Sequence, residues 1–224
     1  AAGAYLVFAN LPIKSNTGGA SPQMQIKLNG TQVTGGFASQ GYIRNAEATN
    51  KSSIHWVGLI QSASTNQVLT IEMSKRGAAG SVDVQTNEKG SIFIEKLANT
   101  NNLFSATATQ LTSGDNWNNG ADVKWATQET IDTGKFTHST SSNPNQIVVD
   151  SDGDYLLLYN DGLTSTVARA NPNMQVQVNG NPVPGAEVST HYIRADSGHN
   201  YSSGALATVL NGLKANDIIT VGAS

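Results

Sequence analysis

The sequence repeats itself at a constant spacing of 150 residues, and this duplication constrains the fold more than any other feature of the chain. Residues 155–224 align with residues 5–74 without an insertion or deletion. Roughly a third of the aligned positions are identical, which at a fixed period indicates duplicated structural units. The register is visible in three motifs, which are Pro-x-Met-Gln, Asn-Gly and Tyr-Ile-Arg, starting at residues 22, 29 and 42 and again at residues 172, 179 and 192.

The period divides the chain into about one and a half units. Residues 1–98 form a partial unit that carries middle and closing strands. Residues 99–224 form a second unit with opening and middle strands, but without an equivalent of the closing segment 75–98. The first unit likewise has no equivalent of residues 103–150. We therefore expect each unit to lack strands that the other possesses.

Short segments between frequent turn signals predict an all-β protein. Residues 5–9 form a continuous apolar run, which is typical of a strand buried on both faces. Residues 24–33 and 174–183 alternate apolar and polar side chains around an Asn-Gly pair, which favours a type I′ hairpin. Pro182 in the second hairpin cannot donate a ladder hydrogen bond and indicates an edge strand. Because no segment repeats apolar residues with a helical period, we expect an antiparallel β-sandwich.

From Leu103 onward, the segments resemble the jelly-roll domains of the complement globular-head and tumour-necrosis-factor superfamily. The similar elements are LFSATAT at 103–109, SDGDYLLLY at 151–159 and LNGLKANDIITV at 210–221, and the first copy supplies the closing element GSIFIEKL at 90–97. This resemblance implies an antiparallel jelly-roll sandwich that commonly assembles as a trimer. It also implies a role in binding or display without catalysis.

Composition excludes several classes of partner. Charged residues make up 13% of the chain and the net charge of −3 is spread without a basic cluster, so nucleic acid is not expected as a partner. No apolar run reaches the ~18 residues that a membrane span requires. The absence of cysteine excludes disulfides and thiolate metal sites. Abundant Asn, Ser, Thr and Gly are typical of exported β-proteins, which favours an extracellular, cell-surface or virion-surface location.

The best candidate for a metal site is the turn DSDGD, in which Asp150, Asp152 and Asp154 occupy alternate positions. Alternating carboxylates can converge on Ca²⁺, but the position of the Gly and the missing distal Glu do not fit an EF-hand loop. The first copy has Ala2 and Ala4 where the second has Asp152 and Asp154. We therefore expect a structural turn and no cofactor, with a calcium site as the alternative.

No catalytic signature is apparent in the sequence. The four histidines are scattered, and none has a histidine at the equivalent position of the other copy. They are His55, His138, His191 and His199. The spacing of eight between the last two matches no zinc motif. There is no Gly-x-Ser-x-Gly elbow and no phosphate loop. We expect that the chain is not an enzyme, since abundant hydroxyl groups are the only feature of the sequence that would support a hydrolase.

Arg44 and Arg194 occupy the same repeat position, each directly after Tyr-Ile. A guanidinium offers five donors in a fixed fork and is expensive to bury unpaired. One interpretation is an arginine at a strand end that bonds loop carbonyls. The other is a contact between units.

The tryptophans and two of the tyrosines offer aromatic faces on which sugars could stack, namely Trp56, Trp117, Trp125, Tyr192 and Tyr201. Trp56 and Tyr201 are replaced by other residue types at their repeat mates, Leu206 and Lys51. Core packing is therefore the expectation for the tryptophans, and a platform for surface glycans is the alternative.

These observations predict a non-enzymatic structural protein that assembles with copies of itself into a filament, sheath, fibre or shell, as a homopolymer or homotrimer. A sandwich that lacks strands exposes unpaired backbone groups and apolar faces, which must be covered. Strand exchange between subunits would cover them, through an interface expected to include Arg44, Arg194, Ile92, Phe93, Ile94 and Leu97. The alternative is a secreted carbohydrate- or ligand-binding adhesin module, in which the loops 111–122 and 161–171 line a groove.

Overall fold

The protein is built from β-strands. A computed structural model describes residues 2–39, 42–43, 50–62, 64–77, 81–85, 88–99, 101–108, 121–167, 169–194 and 198–223. Within these residues there is no helix and the sheets are antiparallel, which confirms the all-β class and the β-sandwich character predicted from the sequence. The described part of the chain accordingly contains no helix long and apolar enough to cross a membrane.

The strands fall into three groups along the sequence. The first group is β1 (Gly3–Ser15), β2 (Ala20–Leu28), β3 (Thr31–Ser39), β4 (Lys51–Ser62), β5 (Leu69–Gly77), β6 (Val82–Val84) and β7 (Ser91–Lys96). The linking segment contains β8 (Phe104–Thr107), β9 (Thr127–Ile131), β10 (Phe136–His138) and β11 (Ile147–Val149). The second copy contains β12 (Gly153–Thr164), β13 (Asn173–Val178), β14 (Asn181–Ser189), β15 (Tyr201–Leu213) and β16 (Ile218–Ala223). Strands β12 to β16 are thus the repeat equivalents of β1 to β5.

The first copy folds into two sheets that enclose one core. In one sheet β1 pairs with β4 on one edge and with β6 and β7 on the other. In the other sheet β2 lies between β3 and β5. The buried side chains of the core come from both sheets and include Val7, Ile13, Met24, Ile26, Ile54 and Trp56. Burial of this apolar set is the main favourable term that holds the two sheets together.

The strand β1 is buried more fully on one face than on the other. Val7 and Ala9 are buried, whereas Leu6 and Phe8 are partly buried. The sequence predicted burial on both faces because the run is continuously apolar. In the sandwich, alternate side chains of a strand point to opposite faces of its sheet, and one face of this sheet covers the core.

The strand β13 lies between β14 and β16 with the register of its equivalent in the first copy. Met24 lies opposite Met73, and Met174 lies opposite Ala223, which is the repeat mate of Met73. Met24 and Met174 are both buried, at 0% and 1% exposure. Pro182 lies on β14, which is the last strand of its sheet, and this confirms the predicted edge strand.

The two Asn-Gly turns have the same backbone conformation. The φ angles are 51° and 81° at residues 29–30 and 52° and 76° at residues 179–180. Positive φ at both central residues is the requirement of a type I′ turn, and the second residue is glycine because it has no Cβ to clash. In each copy the Asn side chain also accepts a backbone hydrogen bond, from the N–H of Val68 just before β5 and from that of Ile218 at the start of β16. The predicted hairpins are therefore confirmed.

The two copies differ in which strand edges are covered. β11 pairs with β16, whereas no described strand pairs with the outer edge of the equivalent β5. β6 and β7 pair with β1, whereas the equivalent β12 pairs with β15 alone among the described strands. Side chains are more exposed where a strand edge has no partner. Leu156 is 53% exposed on β12, whereas its repeat mate Leu6 is partly buried on β1.

The chain divides into two compact units that cut across the repeat. The first consists of residues 1–98, 159–171 and 190–205, and the second consists of residues 99–158, 172–189 and 206–224. Two segments of the second copy thus belong to the first compact unit. Hydrogen bonds within that unit hold them, because the Ser203 hydroxyl bonds both the N–H and the carbonyl of Ser39, at 2.8 and 3.0 Å. The Asn160 side chain donates to the Phe37 carbonyl at 3.1 Å.

Met24→Ala and Met174→Ala are expected to lower the free energy of unfolding by similar amounts, about 2–5 kcal/mol each, because both delete a fully buried side chain. Urea unfolding followed by circular dichroism measures this loss. Met73→Ala is the matched control, since Met73 is partly buried and alanine already stands at its repeat mate. A loss for Met73→Ala as large as the other two would contradict the equivalence of the copies.

Candidate assembly edge

The strand β7 is apolar and exposed on both faces. Ile92, Phe93 and Ile94 are 49%, 56% and 49% exposed. Successive residues of a strand point to opposite faces, so neither face of β7 is covered by the sandwich. Among the described strands β7 pairs with β1 alone, which leaves the backbone N–H and C=O groups along its other edge unpaired. Such an edge is a template for pairing with another strand.

The inner edge of β7 is fixed by antiparallel pairing with β1. Phe93 lies opposite Phe8, and the two rings meet edge to face with their centroids 5.8 Å apart. Beyond the end of the strand, the N–H of Leu97 donates to the carbonyl of Ala4 at 2.9 Å. Three of the four apolar residues predicted for the interface are therefore exposed on this edge, and the fourth, Leu97, is partly buried where β7 ends.

The second copy exposes apolar side chains beside the uncovered edge of β12. Leu156 is 53% exposed and Val209, on the neighbouring β15, is 48% exposed. Their repeat mates are Leu6 and Leu59, which lie opposite each other on β1 and β4 and are partly buried. The strand pair β12–β15 thus carries an apolar surface next to an open backbone edge.

The three aspartates considered for a metal site are each held by protein donors. Their partners, at 2.7–3.0 Å, are the Thr137 hydroxyl for Asp150, Lys214 Nζ and the Ala215 N–H for Asp152, and the Gly212 N–H for Asp154. The hydrogen bond from Ala215 and the ammonium of Lys214 lower the pKa of Asp152. Asp152 and Asp154 therefore tie the start of β12 to the end of β15 and the turn after it, and Asp150 is bonded to β10. Within the described residues, no three His, Cys, Asp or Glu side chains are grouped to hold a metal ion.

Arg194 packs on an aromatic ring of the first copy. Its guanidinium carbon lies 4.8 Å from the centroid of the Tyr42 ring, which is a cation–π geometry. Tyr42 also contacts the ring of Tyr192 at 6.4 Å and donates its N–H to the Tyr192 carbonyl at 3.2 Å. Tyr42 of the first Tyr-Ile-Arg motif thus contacts Tyr192 and Arg194 of the second, within the first compact unit. Arg44 lies outside the described residues.

Two of the aromatic residues considered for glycan stacking, Trp56 and Tyr201, make structural contacts. Trp56 is 2% exposed and its Nε1 donates to the Gly35 carbonyl at 2.8 Å. The ring of Tyr201 is covered by the guanidinium of Arg76, 4.1 Å from its centroid. Trp117 lies outside the described residues. Trp56 is therefore a core residue and is not available to a sugar.

A small pocket in the first compact unit is lined by two histidines that the sequence did not predict to lie close together. His55 and His191 both line it, and the Ser53 hydroxyl lies 2.8 Å from His55 Nε2. Partial burial lowers the pKa of both imidazoles, and the proximity of His55 lowers that of His191 further. The pocket volume is about 20 Å³, which is enough for roughly one water molecule. The hydroxyl–imidazole pair therefore has no room for an organic substrate in this pocket.

Sequence reasoning also missed a partly buried carboxyl on β12, that of Asp161. The Tyr159 hydroxyl donates to Asp161 Oδ2 at 2.7 Å. Burial raises the pKa of Asp161 to about 6, despite the hydrogen bonds from Tyr159 and the Gly162 N–H that favour its charged form. The repeat mates of the pair are the apolar residues Ala9 and Leu11. A comparison of the two copies was the signal that could have revealed it.

Adding a chelator such as EDTA at neutral pH is expected to leave the melting temperature unchanged, because protein donors already satisfy the three aspartates. Asp152→Ala is expected to lower it, because Lys214 and Ala215 lose their common acceptor. The exposed Asp83 on β6 serves as a control through Asp83→Ala. A fall of many degrees on chelation would establish a structural metal.

Asp161→Asn is expected to stabilise the protein above pH 6. A pKa raised from 3.8 to about 6 means that the folded state binds the proton more tightly than the unfolded state. The associated stability is complete below pH 3.8 and is lost as the pH rises through 6. The full shift is worth up to about 3 kcal/mol.

Urea unfolding of the Asp161→Asn variant and its parent between pH 4 and pH 8 measures this effect. The difference between the two curves isolates the group, because Asp132, Asp152 and Asp217 have lowered pKa values and act in the opposite direction. A difference that does not change with pH would show that Asp161 is ionised in the folded state throughout this range.

Comparison with known proteins identifies no family for the chain. No protein-family model matches the chain, and a search of curated proteins also finds no match. The functional interpretation therefore rests on the internal duplication and on the strand edges that it leaves uncovered.

Proposed function

We propose that the chain is a non-enzymatic structural protein that assembles with copies of itself into a filament, sheath, fibre or shell at an extracellular, cell or virion surface. The observation that carries the proposal is the exposed apolar edge of β7, with Ile92, Phe93 and Ile94 each about half exposed. An uncovered apolar edge is a liability for a protein that works as a monomer. In an assembling protein the same edge is the interface.

The energy available at this edge supports the proposal. Complete burial of an Ile or Phe side chain contributes about 1.5–3 kcal/mol. Covering the exposed half of the three side chains would therefore contribute about 3 kcal/mol in total. Pairing of the open backbone edge would add directional hydrogen bonds, which specify how the partner is oriented.

The resemblance to the complement globular-head and tumour-necrosis-factor superfamily supports jelly-roll connections between the strands and a homotrimeric or homopolymeric assembly. The composition, rich in Asn, Ser, Thr and Gly, supports an exported protein. The proposal includes no cofactor, no nucleic acid and no membrane-spanning segment.

An adhesin module that binds carbohydrate or another ligand is the second candidate. It is favoured by the cluster of Tyr42, Tyr192 and Arg194, in which the Tyr192 side chain is 39% exposed. Exposed tyrosine beside arginine is common in surfaces that bind sugars or proteins. Binding to a glycan array that is lost in Tyr192→Ala would support this candidate.

The proposal is tested by sedimentation velocity and negative-stain electron microscopy of the chain over a concentration series. We expect particles that grow with concentration into rods, tubes or closed rings. Phe93→Lys is expected to raise the concentration at which assembly begins at least tenfold, since it places a charge on the exposed edge.

Val167→Lys is the matched control, because Val167 is also an exposed apolar residue, at 61% exposure, but lies in a loop after β12. It should assemble as the parent does. A parent chain that remains monomeric at every concentration would refute the proposal, provided that circular dichroism shows it to be folded.

A further inference from the structure

The outer edge of β7 presents the backbone groups of every second residue. The N–H of Leu97 donates to the carbonyl of Ala4, which continues the register of the β7–β1 pair. Hydrogen-bonded pairs alternate along an antiparallel ladder, so Phe93, four residues before Leu97, also bonds β1. The N–H and C=O groups of Ile92 and Ile94 therefore point away from β1, where no described strand pairs with them.

The side chains in the middle of β7 are apolar on both faces of the strand. Ile92 and Ile94 lie on the face of the sheet that covers the core, because they stand opposite the buried residues Ala9 and Val7. Phe93 lies on the other face. Each of the three side chains is about half exposed. A strand that covers this edge must therefore supply apolar side chains on both of its faces in a single register.

The segment Ile-Phe-Ile at 92–94 reads the same in both directions, so a second copy of β7 meets this requirement. Consider antiparallel pairing about a two-fold axis that is perpendicular to the sheet and passes between the two Phe93 residues. Ile92 of one copy then lies opposite Ile94 of the other, and the backbone groups of both point outward, as hydrogen bonding requires. The axis also makes each face of one sheet continuous with the same face of the other.

This register brings four aromatic rings into one row. Within one chain, the rings of Phe8 and Phe93 lie edge to face with their centroids 5.8 Å apart. The two Phe93 residues form a non-hydrogen-bonded pair, in which the Cα atoms are about 4.5 Å apart and the side chains are closest. Aromatic pairs across strands stabilise a sheet. An axis at Ile94 or Ile92 would instead place Phe93 opposite Glu95 or Ser91.

The charges that flank the apolar segment are complementary in the register centred on Phe93. The chain before β7 still runs beside β1, since Gly90 lies against Leu11. Glu95 of one copy lies opposite residue 91 of the other and diagonal to its Lys89, on the same face of the sheet. Diagonal neighbours are within reach of long side chains, and both residues are exposed. The two-fold axis makes this contact between opposite charges twice.

We propose that the outer edge of β7 pairs antiparallel with the same edge of a second copy, about a two-fold axis at Phe93. The contact joins two four-stranded sheets into one continuous sheet, with the two β7 strands at its centre. This inference rests on the proposed self-assembly and names one surface that performs it. Because a two-fold contact closes on itself, larger particles grow from this dimer through a different surface.

Cysteine cross-linking tests the register. The chain has no cysteine, so one introduced thiol reports on one contact. In Phe93→Cys the two thiols lie beside the axis at a separation that suits a disulfide, so mild oxidation should give a covalent homodimer. Glu95→Cys is the matched control on the same face of the same strand. It should give roughly tenfold less homodimer, because each Cys lies four residues from the position opposite its mate, beyond the reach of a disulfide.

A second pair of variants keeps Phe93 in place. Ile92→Cys and Ile94→Cys chains should form a covalent heterodimer when they are mixed and oxidised, because the two positions lie opposite each other about 5.5 Å apart. Each variant oxidised alone should give little homodimer, since its thiols are then diagonal to each other.

Charge reversal measures the same contact without cross-linking. Glu95→Lys should raise the dissociation constant of the dimer about three- to tenfold, since it places a lysine beside Lys89 twice in each dimer. Sedimentation velocity over a concentration series at low salt measures this constant. The double variant Glu95→Lys with Lys89→Glu should recover the value of the parent. A double variant as weak as the single one would overturn the stated register.

The outcomes separate this inference from the proposed function. A parent that assembles while Phe93→Cys and the mixed isoleucine variants form no disulfide would overturn the β7–β7 contact and leave self-assembly intact. Such a result would assign the edge of β7 to a different strand. A parent that stops at a cross-linkable dimer would support the contact and refute the larger assembly. A folded parent that stays monomeric at every concentration would refute both.

Discussion

The unequal coverage of equivalent strand edges is the constraint on which the rest of this structure depends. β1 is covered on both edges, by β4 on one side and by β6 and β7 on the other. Its repeat equivalent β12 is covered by β15 alone among the described strands. The consequence appears directly in the side chains, since Leu6 is partly buried and Leu156 is 53% exposed at the same repeat position. The duplication has therefore produced two strands, β1 and β12, that are equivalent in the repeat but have different neighbouring strands.

The conserved part of the repeat explains why the two copies fold alike where they do. The hairpins β2–β3 and β13–β14 share their Asn-Gly turn, and both irregularities in register fall at equivalent positions, between Gln25 and Lys27 and between Gln175 and Gln177. The short bridges of Ile43 with Ala20 and of Ile193 with Ala170 are also equivalent. The same local backbone chemistry and a buried apolar residue at each of these sites give both copies the same geometry.

Where the copies diverge in sequence, polar groups have taken on local roles. Asp152 and Asp154 stand where the first copy has alanines, and they bond the turn after β15 and the end of β15. Asp161 replaces a leucine and is held against the Tyr159 hydroxyl with a raised pKa, because burial penalises its charge. Arg194 stacks on Tyr42, so a residue present in both copies makes a contact between one motif and the other. The sequence showed these residues, but the partners of Asp152, Asp154 and Arg194 lie far away along the chain.

The amino-acid sequence by itself determined the all-β class, the two type I′ hairpins, the edge position of Pro182 and the equivalence of the copies, because each follows from local backbone preference or from the repeat. It predicted β7 as an apolar strand available to an interface, but not that three consecutive side chains would be exposed. The tertiary structure alone decided that residues 91–96 pair with β1, that residues 159–171 and 190–205 join the first compact unit, and that His55 and His191 line the same pocket. Those outcomes depend on which strand edges pair across long sequence separations. Because the repeated strands have similar local sequences, the local pattern cannot tell which of the similar edges will pair.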